Sequence, residues 1–226
     1  MIIAIDGPAG SGKSTIAKQL AQKLKIEYID SGAIYRTLTL HYMNLFNNEC
    51  ADHTQEISDL VKKDSDEISI EYENHTQIMK LKNKNVSKQI RNPNVTRQVK
   101  YIADNPDCRE IVNQKIRHLA ENYSVIIDGR DIGTKVFPET DYKFYLDALP
   151  EIRAKRRALE TGVPVSGKEF ETLRGDIIQR DKNDMNREIA PLCKASDAHL
   201  IDTSELNIEE VVDIVLTKVK HIQSSK

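Results

Sequence analysis

The residues best suited to chemistry lie near the N-terminus, in the run Gly-Pro-Ala-Gly-Ser-Gly-Lys-Ser-Thr. This run fits G-x-x-x-x-G-K-[ST], a pattern typical of loops that hold a triphosphate. Glycines let successive backbone N–H groups point inward at phosphate oxygens. The Lys13 ammonium can reach the β- and γ-phosphates, and the Ser14 hydroxyl can bind Mg²⁺. The predicted site for nucleoside triphosphate phosphates comprises Gly7, Pro8, Ala9, Gly10, Ser11, Gly12, Lys13, Ser14 and Thr15.

The residues on either side of this run distinguish a phosphate-binding loop from a glycine-rich turn that matches the pattern by chance. An apolar run, Ile2–Ile5, precedes it and predicts a short strand. Ile16, Leu20 and Leu24 follow at helical spacing, which predicts a helix over Lys13–Leu24. The positive N-terminal end of that helix would add to the attraction for phosphate.

Two further polar groups follow predicted strands. The segment Asp30–Arg36 comes after a strand at Ile26–Ile29, and Arg36 there could hold an anion with two parallel hydrogen bonds. The segment Asp128–Asp131 comes after a strand at Ser124–Asp128. Open α/β sheets bind ligands at the carboxyl ends of their strands, so both segments are candidates. Asp128 could bind Mg²⁺ directly or through water, while a charged loop paired with itself is the plain alternative.

A third feature is a concentration of arginine between positions 153 and 187, which holds six of the twelve arginines of the chain. The segment Thr161–Gly167 interrupts it and predicts a break between two helices. This helix–loop–helix pattern predicts a lid that closes over a triphosphate, because phosphoryl transfer depends on cations around the transferring group. For any single arginine, a solvated helix face remains the alternative.

The remaining pattern indicates the architecture that positions these groups. Short apolar strands alternate with helices, which predicts an α/β protein of the P-loop NTPase fold, with a parallel sheet flanked by helices. Ser31 is predicted to be the N-cap of the second helix. Asp66–Asn92 departs from the alternation and predicts a small antiparallel meander, either part of the substrate side or a surface decoration. The other predicted elements are the strands Met1–Asp6, Tyr142–Asp147 and Ala198–Ile201 and the helix Glu209–Ile222.

Composition limits the possible partners. The 33 basic and 35 acidic residues nearly cancel, so we expect neither a nucleic acid polymer nor a membrane surface as partner. No apolar run approaches the roughly 20 residues that span a bilayer, and we expect no signal peptide. The three cysteines lie far apart, which predicts reduced thiols in a cytoplasmic protein. A chain of 226 residues is expected to form one domain with insertions.

Five segments in a fixed order resemble the bacterial cytidylate kinases: GPAGSGKST, DSGAIYR, DGRDIGT, KFYLDA and RDKNDMNREIAPL. The resemblance runs from about Ile2 to Asp202. It implies transfer of the ATP γ-phosphate to CMP or dCMP with Mg²⁺, by a protein that is usually a monomer. It also implies one kinase domain over 1–226, with a core (1–40, 106–152 and 188–226), a monophosphate-binding insert (41–105) that contains the meander, and a helical lid (153–187).

The same resemblance implies roles for individual residues. Arg36, Arg130 and Arg187 match positions that grip the acceptor phosphate, and Ser31 and Tyr35 lie in that pocket. Arg109 and Asp131 match the cytosine-reading positions, and Arg180 and Asp184 match those that contact the sugar. Arg157 is our choice for the lid arginine on the triphosphate. The implied catalytic set is Lys13, Arg130, Arg157 and Arg187.

One position departs from the family pattern. A serine commonly helps to read the base, and this chain has Lys100 there, with Thr96 the nearest upstream hydroxyl. Two other functions therefore stay open at this point. One is a related P-loop kinase that acts on UMP, AMP or a non-nucleotide molecule. The other is a regulatory module that binds nucleotide without catalysis.

Overall fold

The computed structural model describes residues 1–73 and 76–224, which form two compact units. The first unit comprises Met1–Leu24 and Ile126–Lys226, and the second comprises Lys25–Val125. The strands are β1 (Ile2–Asp6), β2 (Glu27–Asp30), β3 (Ile68–Glu73), β4 (Thr76–Leu81), β5 (Lys84–Asn85), β6 (Val125–Gly129), β7 (Tyr142–Asp147) and β8 (His199–Asp202). The α-helices are α1 (Lys13–Leu24), α2 (Ser31–Leu45), α3 (Thr54–Asp64), α4 (Pro93–Ala103), α5 (Pro106–Asn122), α6 (Pro150–Thr161), α7 (Lys168–Asn186) and α8 (Ile208–Ser224). The predicted core, insert and lid boundaries stay a prediction.

The first unit is built on a parallel sheet. Strands β6, β1, β7 and β8 lie side by side in that order. β1 pairs in parallel with β7, and β7 pairs in parallel with β8. Residues 3–5 of β1 and 125–129 of β6 are buried without alternation, as expected for strands covered on both faces. The sheet and its helices confirm the predicted P-loop α/β fold.

Helix α1 begins and ends where the sequence predicts. Its buried apolar residues, Ile16, Ala17, Leu20 and Ala21, recur at helical spacing and form one apolar face. Helix α8 packs against this helix and against β7. The helix that starts at the glycine-rich loop is therefore fixed by its own apolar face.

The second unit contains helices α2 to α5 and an antiparallel sheet in the order β3-β4-β5. In this sheet Ile70 lies opposite Met79, and Leu81 lies opposite both Ile68 and Lys84. The predicted meander is confirmed; the sequence places Asn74 and His75 at one of its turns, and these two residues lie outside the described residues.

The predicted N-cap of α2 is wrong by one residue. Asp30 has extended backbone angles, and its Oδ1 accepts the N–H of Ala33 at 2.9 Å. Ser31 is already the first helical residue and is buried. An aspartate that ends a strand in this conformation presents its carboxylate to the third N–H of the helix, so it satisfies that donor before Ser31 is needed. The strand and helix ends after position 197 also lie one or two residues from their predicted places.

Within residues 1–73 and 76–224, no helix is both long enough and apolar enough to cross a bilayer.

The apolar face of α1 gives a stability prediction. Leu20 is 0% exposed, whereas Leu159 on α6 is 75% exposed. We expect Leu20→Ala to lower the free energy of unfolding by about 2 to 5 kcal/mol, because it removes buried methyl groups and leaves a cavity. The matched deletion Leu159→Ala should change it by no more than about 0.5 kcal/mol. Urea denaturation measures both, and equal losses would contradict the assignment of Leu20 to the core.

Candidate active site

The glycine-rich loop between β1 and α1 needs glycine where the motif has it. Gly7, Gly10 and Gly12 have φ angles of +146°, +77° and +92°, which L side chains rarely adopt. A Cβ atom on Gly7 would lie 2.0 Å from the carbonyl oxygen of Leu146, and one on Gly10 would lie 3.0 Å from Cβ of Arg153. The loop is therefore pressed against β7 and α6.

Lys13 folds back over this loop. Its Nζ donates to the carbonyl oxygen of Pro8 at 2.6 Å and to Oγ of Ser11 at 3.3 Å. Burial lowers the pKa of Lys13 well below its ordinary value, and the nearby Arg130 lowers it further, while Asp128 and Asp6 oppose the shift. An ammonium in this place is already oriented by the carbonyl and hydroxyl oxygens of the loop.

The two residues predicted to hold Mg²⁺ are in contact. Oγ of Ser14 donates to Oδ2 of Asp128 at 2.6 Å, although the two residues are 114 positions apart. Hydroxyl and carboxylate oxygens are ligands that Mg²⁺ accepts, and Mg²⁺ commonly completes its shell with water and substrate phosphates. The donor set therefore fits this ion. Across the described residues, no group of three or more His, Cys, Asp or Glu could hold a metal ion.

Four predicted site residues form two ion pairs in the first unit. Nε of Arg130 donates to Oδ2 of Asp184 at 2.8 Å, and Nη2 of Arg187 lies 3.4 Å from Oδ1 of Asp131. Burial alone would raise the pKa of Asp184, but Arg130, Arg180 and Arg187 lower it below its ordinary value. Asp184 is thus held as a carboxylate, and it fixes the direction of the Arg130 guanidinium.

Two residues that the sequence did not single out hold the loop from outside. Arg153 donates from Nη1 to the carbonyl oxygen of Ala9 at 3.0 Å and forms a salt bridge with Asp181. Oδ1 of Asp181 accepts the N–H of Ala9 at 3.3 Å. The buried pair therefore binds Ala9 at both its N–H and its carbonyl. The sequence signal was their place on the two predicted lid helices, but nothing in it indicated the loop as their target.

The neighbouring arginines of α6 divide between the loop and solvent. Arg156 donates to Oγ1 of Thr203 at 2.9 Å, and that hydroxyl also lies 3.2 Å from the carbonyl oxygen of Ser11. Arg157, the predicted lid arginine, is half exposed and donates to Glu160 at 3.0 Å. In this structure the loop is contacted by Arg153 and, through Thr203, by Arg156.

The predicted acceptor residues of the second unit lie on two helices. Ser31, Tyr35 and Arg36 lie on α2, and Arg109 lies near the start of α5. The Arg109 guanidinium is 5.6 Å from the centroid of the Tyr35 ring, and its Nη1 donates to the carbonyl oxygen of Ala103 at 3.0 Å. Lys100 stands where this chain departs from the family pattern, and its Nζ lies 4.7 Å from the ring centroid of Tyr101.

The start of α2 is tied to the antiparallel sheet. The N–H of Asp30 donates to Oε1 of Gln77 at 2.6 Å, and Nε2 of the same side chain lies 3.5 Å from the Asp30 carbonyl oxygen. Nη2 of Arg91 donates to the other carboxylate oxygen of Asp30 at 2.5 Å. The residue that caps α2 is therefore held by the sheet at its backbone and by Arg91 at its side chain.

A phosphate-binding loop between the first strand and first helix of a parallel sheet defines a P-loop nucleotide-binding protein. A family model described as "Cytidylate kinase" matches residues 3–221. A cytidylate kinase from Fervidobacterium nodosum is 44% identical over 218 residues, which cover 96% of this chain and 95% of that protein. The chain belongs to the cytidylate kinase family, and the protein is therefore a nucleotide-binding kinase, a transferase.

One solved structure shows the fold alone. The crystal structure of an uncharacterized protein from Eubacterium ventriosum covers 97% of this chain and 98% of its own, with a TM-score of 0.54 and 16% sequence identity. At this identity, the likeness shows that the two proteins share a fold and bears on no residue of the site.

The pair that holds Ala9 gives a second stability prediction. We expect Asp181→Ala to cost about 3 to 5 kcal/mol of unfolding free energy, because it leaves the Arg153 charge buried and unpaired. Glu160→Ala, which removes the carboxylate partner of the half-exposed Arg157, should cost about 1 kcal/mol or less. Chemical denaturation of both variants tests the difference. A loss at Asp181 no larger than the one at Glu160 would contradict a buried pair.

Proposed function

We propose that the protein transfers the γ-phosphate of ATP to CMP or dCMP, giving ADP and CDP or dCDP. Family membership supports the substrate class. The observation that carries the proposal is the glycine-rich loop, with Lys13 folded over it and the Ser14–Asp128 contact beside it. A loop that presents N–H groups, an ammonium and a metal-binding pair to one place suits the phosphates of ATP.

The donor phosphates are bound by residues 7–15. On binding, Lys13 exchanges the Pro8 carbonyl oxygen for the β- and γ-phosphate oxygens. Ser14 and Asp128 would hold Mg²⁺, which when bound neutralises part of the phosphate charge. Because Ser14 donates to Asp128 at 2.6 Å, both oxygens lie at one site.

The acceptor phosphate is gripped by Arg36, Arg130 and Arg187. The planar guanidinium group matches phosphate geometry with two parallel hydrogen bonds. Arg130 and Arg187 are held in place by Asp184 and Asp131, so they lose less conformational freedom on binding. The phosphate of CMP is already an anion and attacks in line, so no general base is needed.

The base and sugar are read by the remaining residues. Cytosine offers an amino donor at N4 and acceptors at N3 and O2, which a carboxylate from Asp131 and a guanidinium from Arg109 satisfy. Uracil has the opposite pattern at N3 and O4 and would leave buried groups unpaired. Arg180 and Asp184 contact the sugar, and Ser31 and Tyr35 complete the pocket. Arg109 is suited to this role because it is buried against Tyr35.

The helices α6 and α7 would act as a lid, and we assign Arg157 to meet the triphosphate when the lid closes. Gly162 and Gly167 end the break between them with φ angles of +72° and +87°, and an added Cβ on either would meet no atom within 4 Å. Two left-handed glycines in open surroundings suit a hinge. The predicted cytoplasmic location and monomeric state remain predictions.

The first prediction here concerns the acceptor. With ATP and Mg²⁺, ADP should form rapidly with CMP and dCMP and far more slowly with UMP, AMP and GMP, because only cytosine pairs with both Asp131 and Arg109. Coupled measurement of ADP production tests each acceptor separately. Lys13→Ala is the control and should abolish turnover with every acceptor while the protein stays folded. Comparable rates with UMP would indicate a broader pyrimidine kinase and would point to Lys100.

The second prediction concerns Asp131. We expect Asp131→Ala to lower kcat/KM for CMP by about 10²-fold, the effect of losing one charge-assisted hydrogen bond in a closed site, with ATP affinity nearly unchanged. Asp213→Ala removes an exposed carboxylate that pairs with Lys23 and should leave both quantities unchanged. Steady-state kinetics and an ATP-binding titration provide the comparison. Equal losses for CMP and ATP would rule out a base-reading role.

A further inference from the structure

Asp6, the last residue of β1, is a buried carboxylate that the proposed mechanism does not use. Its Oδ1 accepts the N–H of Ile132 at 2.9 Å, and its Oδ2 accepts the N–H of Gly133 at 2.7 Å. We propose that Asp6 is a positioning residue for phosphoryl transfer, whose ionised carboxylate holds in place the segment that carries Arg130 and Asp131. The inference rests on the proposed function, since that function gives these two residues their roles.

The turn that follows Asp131 needs a hydrogen-bond acceptor from outside itself, and Asp6 provides it. A single π-helical turn over Ile132–Val136 follows Asp131, and the Asp131 side chain makes no capping hydrogen bond to it. The first N–H groups of such a turn have no partner within the turn and need an acceptor from elsewhere. Asp6 supplies that acceptor from β1, 126 residues earlier in the chain. The carboxylate of Asp6, at the end of β1, thus caps the turn that follows β6.

The fit at Gly133 is close. A Cβ atom at this position would lie 3.2 Å from Cγ and Cδ of Lys143 and 3.4 Å from Oδ2 of Asp6. The segment therefore packs between the carboxylate and the aliphatic part of Lys143. Because Gly7 directly follows Asp6, one residue connects the start of the ATP loop with the segment assigned to the acceptor.

The charge on Asp6 can change in mild acid. Burial raises its pKa to about 6, although the N–H groups of Gly133 and Ile132 lower it. The charge of Asp131 raises this pKa further, and the charge of Lys13 lowers it. Tyr145, another titratable residue, lies opposite Asp6 on β7. When the carboxyl is protonated, one of its oxygens carries a hydrogen and competes poorly as an acceptor. Below pH 6 the segment should therefore lose part of its support.

A titration of the unmodified protein tests the contact without relying on kinase activity. In ¹⁵N–¹H NMR spectra recorded from pH 5 to 8 without nucleotide, the amides of Ile132 and Gly133 should shift with one shared midpoint near pH 6. The transition should vanish in Asp6→Asn. It should persist in Asp197→Asn, which removes the exposed carboxylate partner of Lys143. Flat amide shifts in the wild-type protein would overturn the proposal.

Kinetics test the positioning role. CMP itself loses a proton at a pH of about 6, which alone gives the plot of log kcat/KM for CMP a slope of one below that pH. In the wild-type protein, protonation of Asp6 should lower kcat/KM by about a further tenfold over the same range, so the plot falls more steeply than a slope of one. In Asp6→Asn only the slope of one should remain, and KM for CMP above that pH should be about tenfold higher than in the wild-type protein, as expected for the loss of one net hydrogen bond to a charged group.

A conservative variant separates charge from shape. Asp6→Glu keeps the carboxylate and should restore the second titrating group, even if the longer side chain raises KM. If the pH profile of kcat/KM and the KM for CMP were the same in Asp6→Asn as in the wild-type protein, Asp6 would have a structural role only. If Asp6→Asn fails to fold, the amide titration of the wild-type protein and the pH profile of Asp6→Glu still test the proposal. Absence of turnover on CMP by the wild-type protein would defeat the proposed function and leave the amide titration standing.

Discussion

The two hydrogen bonds that hold the peptide groups of Ala9 are the constraint on which the site depends. A loop with three left-handed glycines has little conformational preference of its own, so its shape must come from its neighbours. Arg153 and Asp181 supply it from the two helices proposed to act as a lid. The loop for the donor phosphates and the helices that would cover them therefore share one buried ion pair, and neither can be displaced without affecting the other.

Other charges of the site are paired with one another. Arg130 is paired with Asp184, and Arg187 is paired with Asp131. Carboxylates that hold cations in fixed directions reduce the reorganisation needed when phosphate charge arrives, and such preorganisation accounts for much of enzymatic rate enhancement. The cost is that each buried charge depends on its partner, so a single substitution in this network affects more than one contact.

Local signals in the sequence predicted most of the local structure. Helix α1 and strand β7 match their predicted bounds, because α1 carries apolar residues at helical spacing and β7 is a short, mostly apolar run. The N-cap of α2 was misplaced, since both Asp30 and Ser31 are good capping residues and only the backbone angles decide between them. Contacts such as Ala9 with Asp181, 172 positions apart, or Asp6 with Gly133, 127 positions apart, leave no mark in any local pattern.

The attachment of Gln77 to Asp30 has a consequence for how such proteins vary. The side-chain amide of Gln77 takes the place of a neighbouring strand. Its oxygen accepts the N–H of Asp30 at 2.6 Å, and its NH₂ group lies 3.5 Å from the carbonyl oxygen of Asp30. At this point a side chain stands in for a strand, so no matching register between two lengths of backbone is needed there. The antiparallel sheet could therefore change in length between relatives at its outer strands, provided that the glutamine and the buried side chains of Ile68, Met79 and Leu81 keep their places.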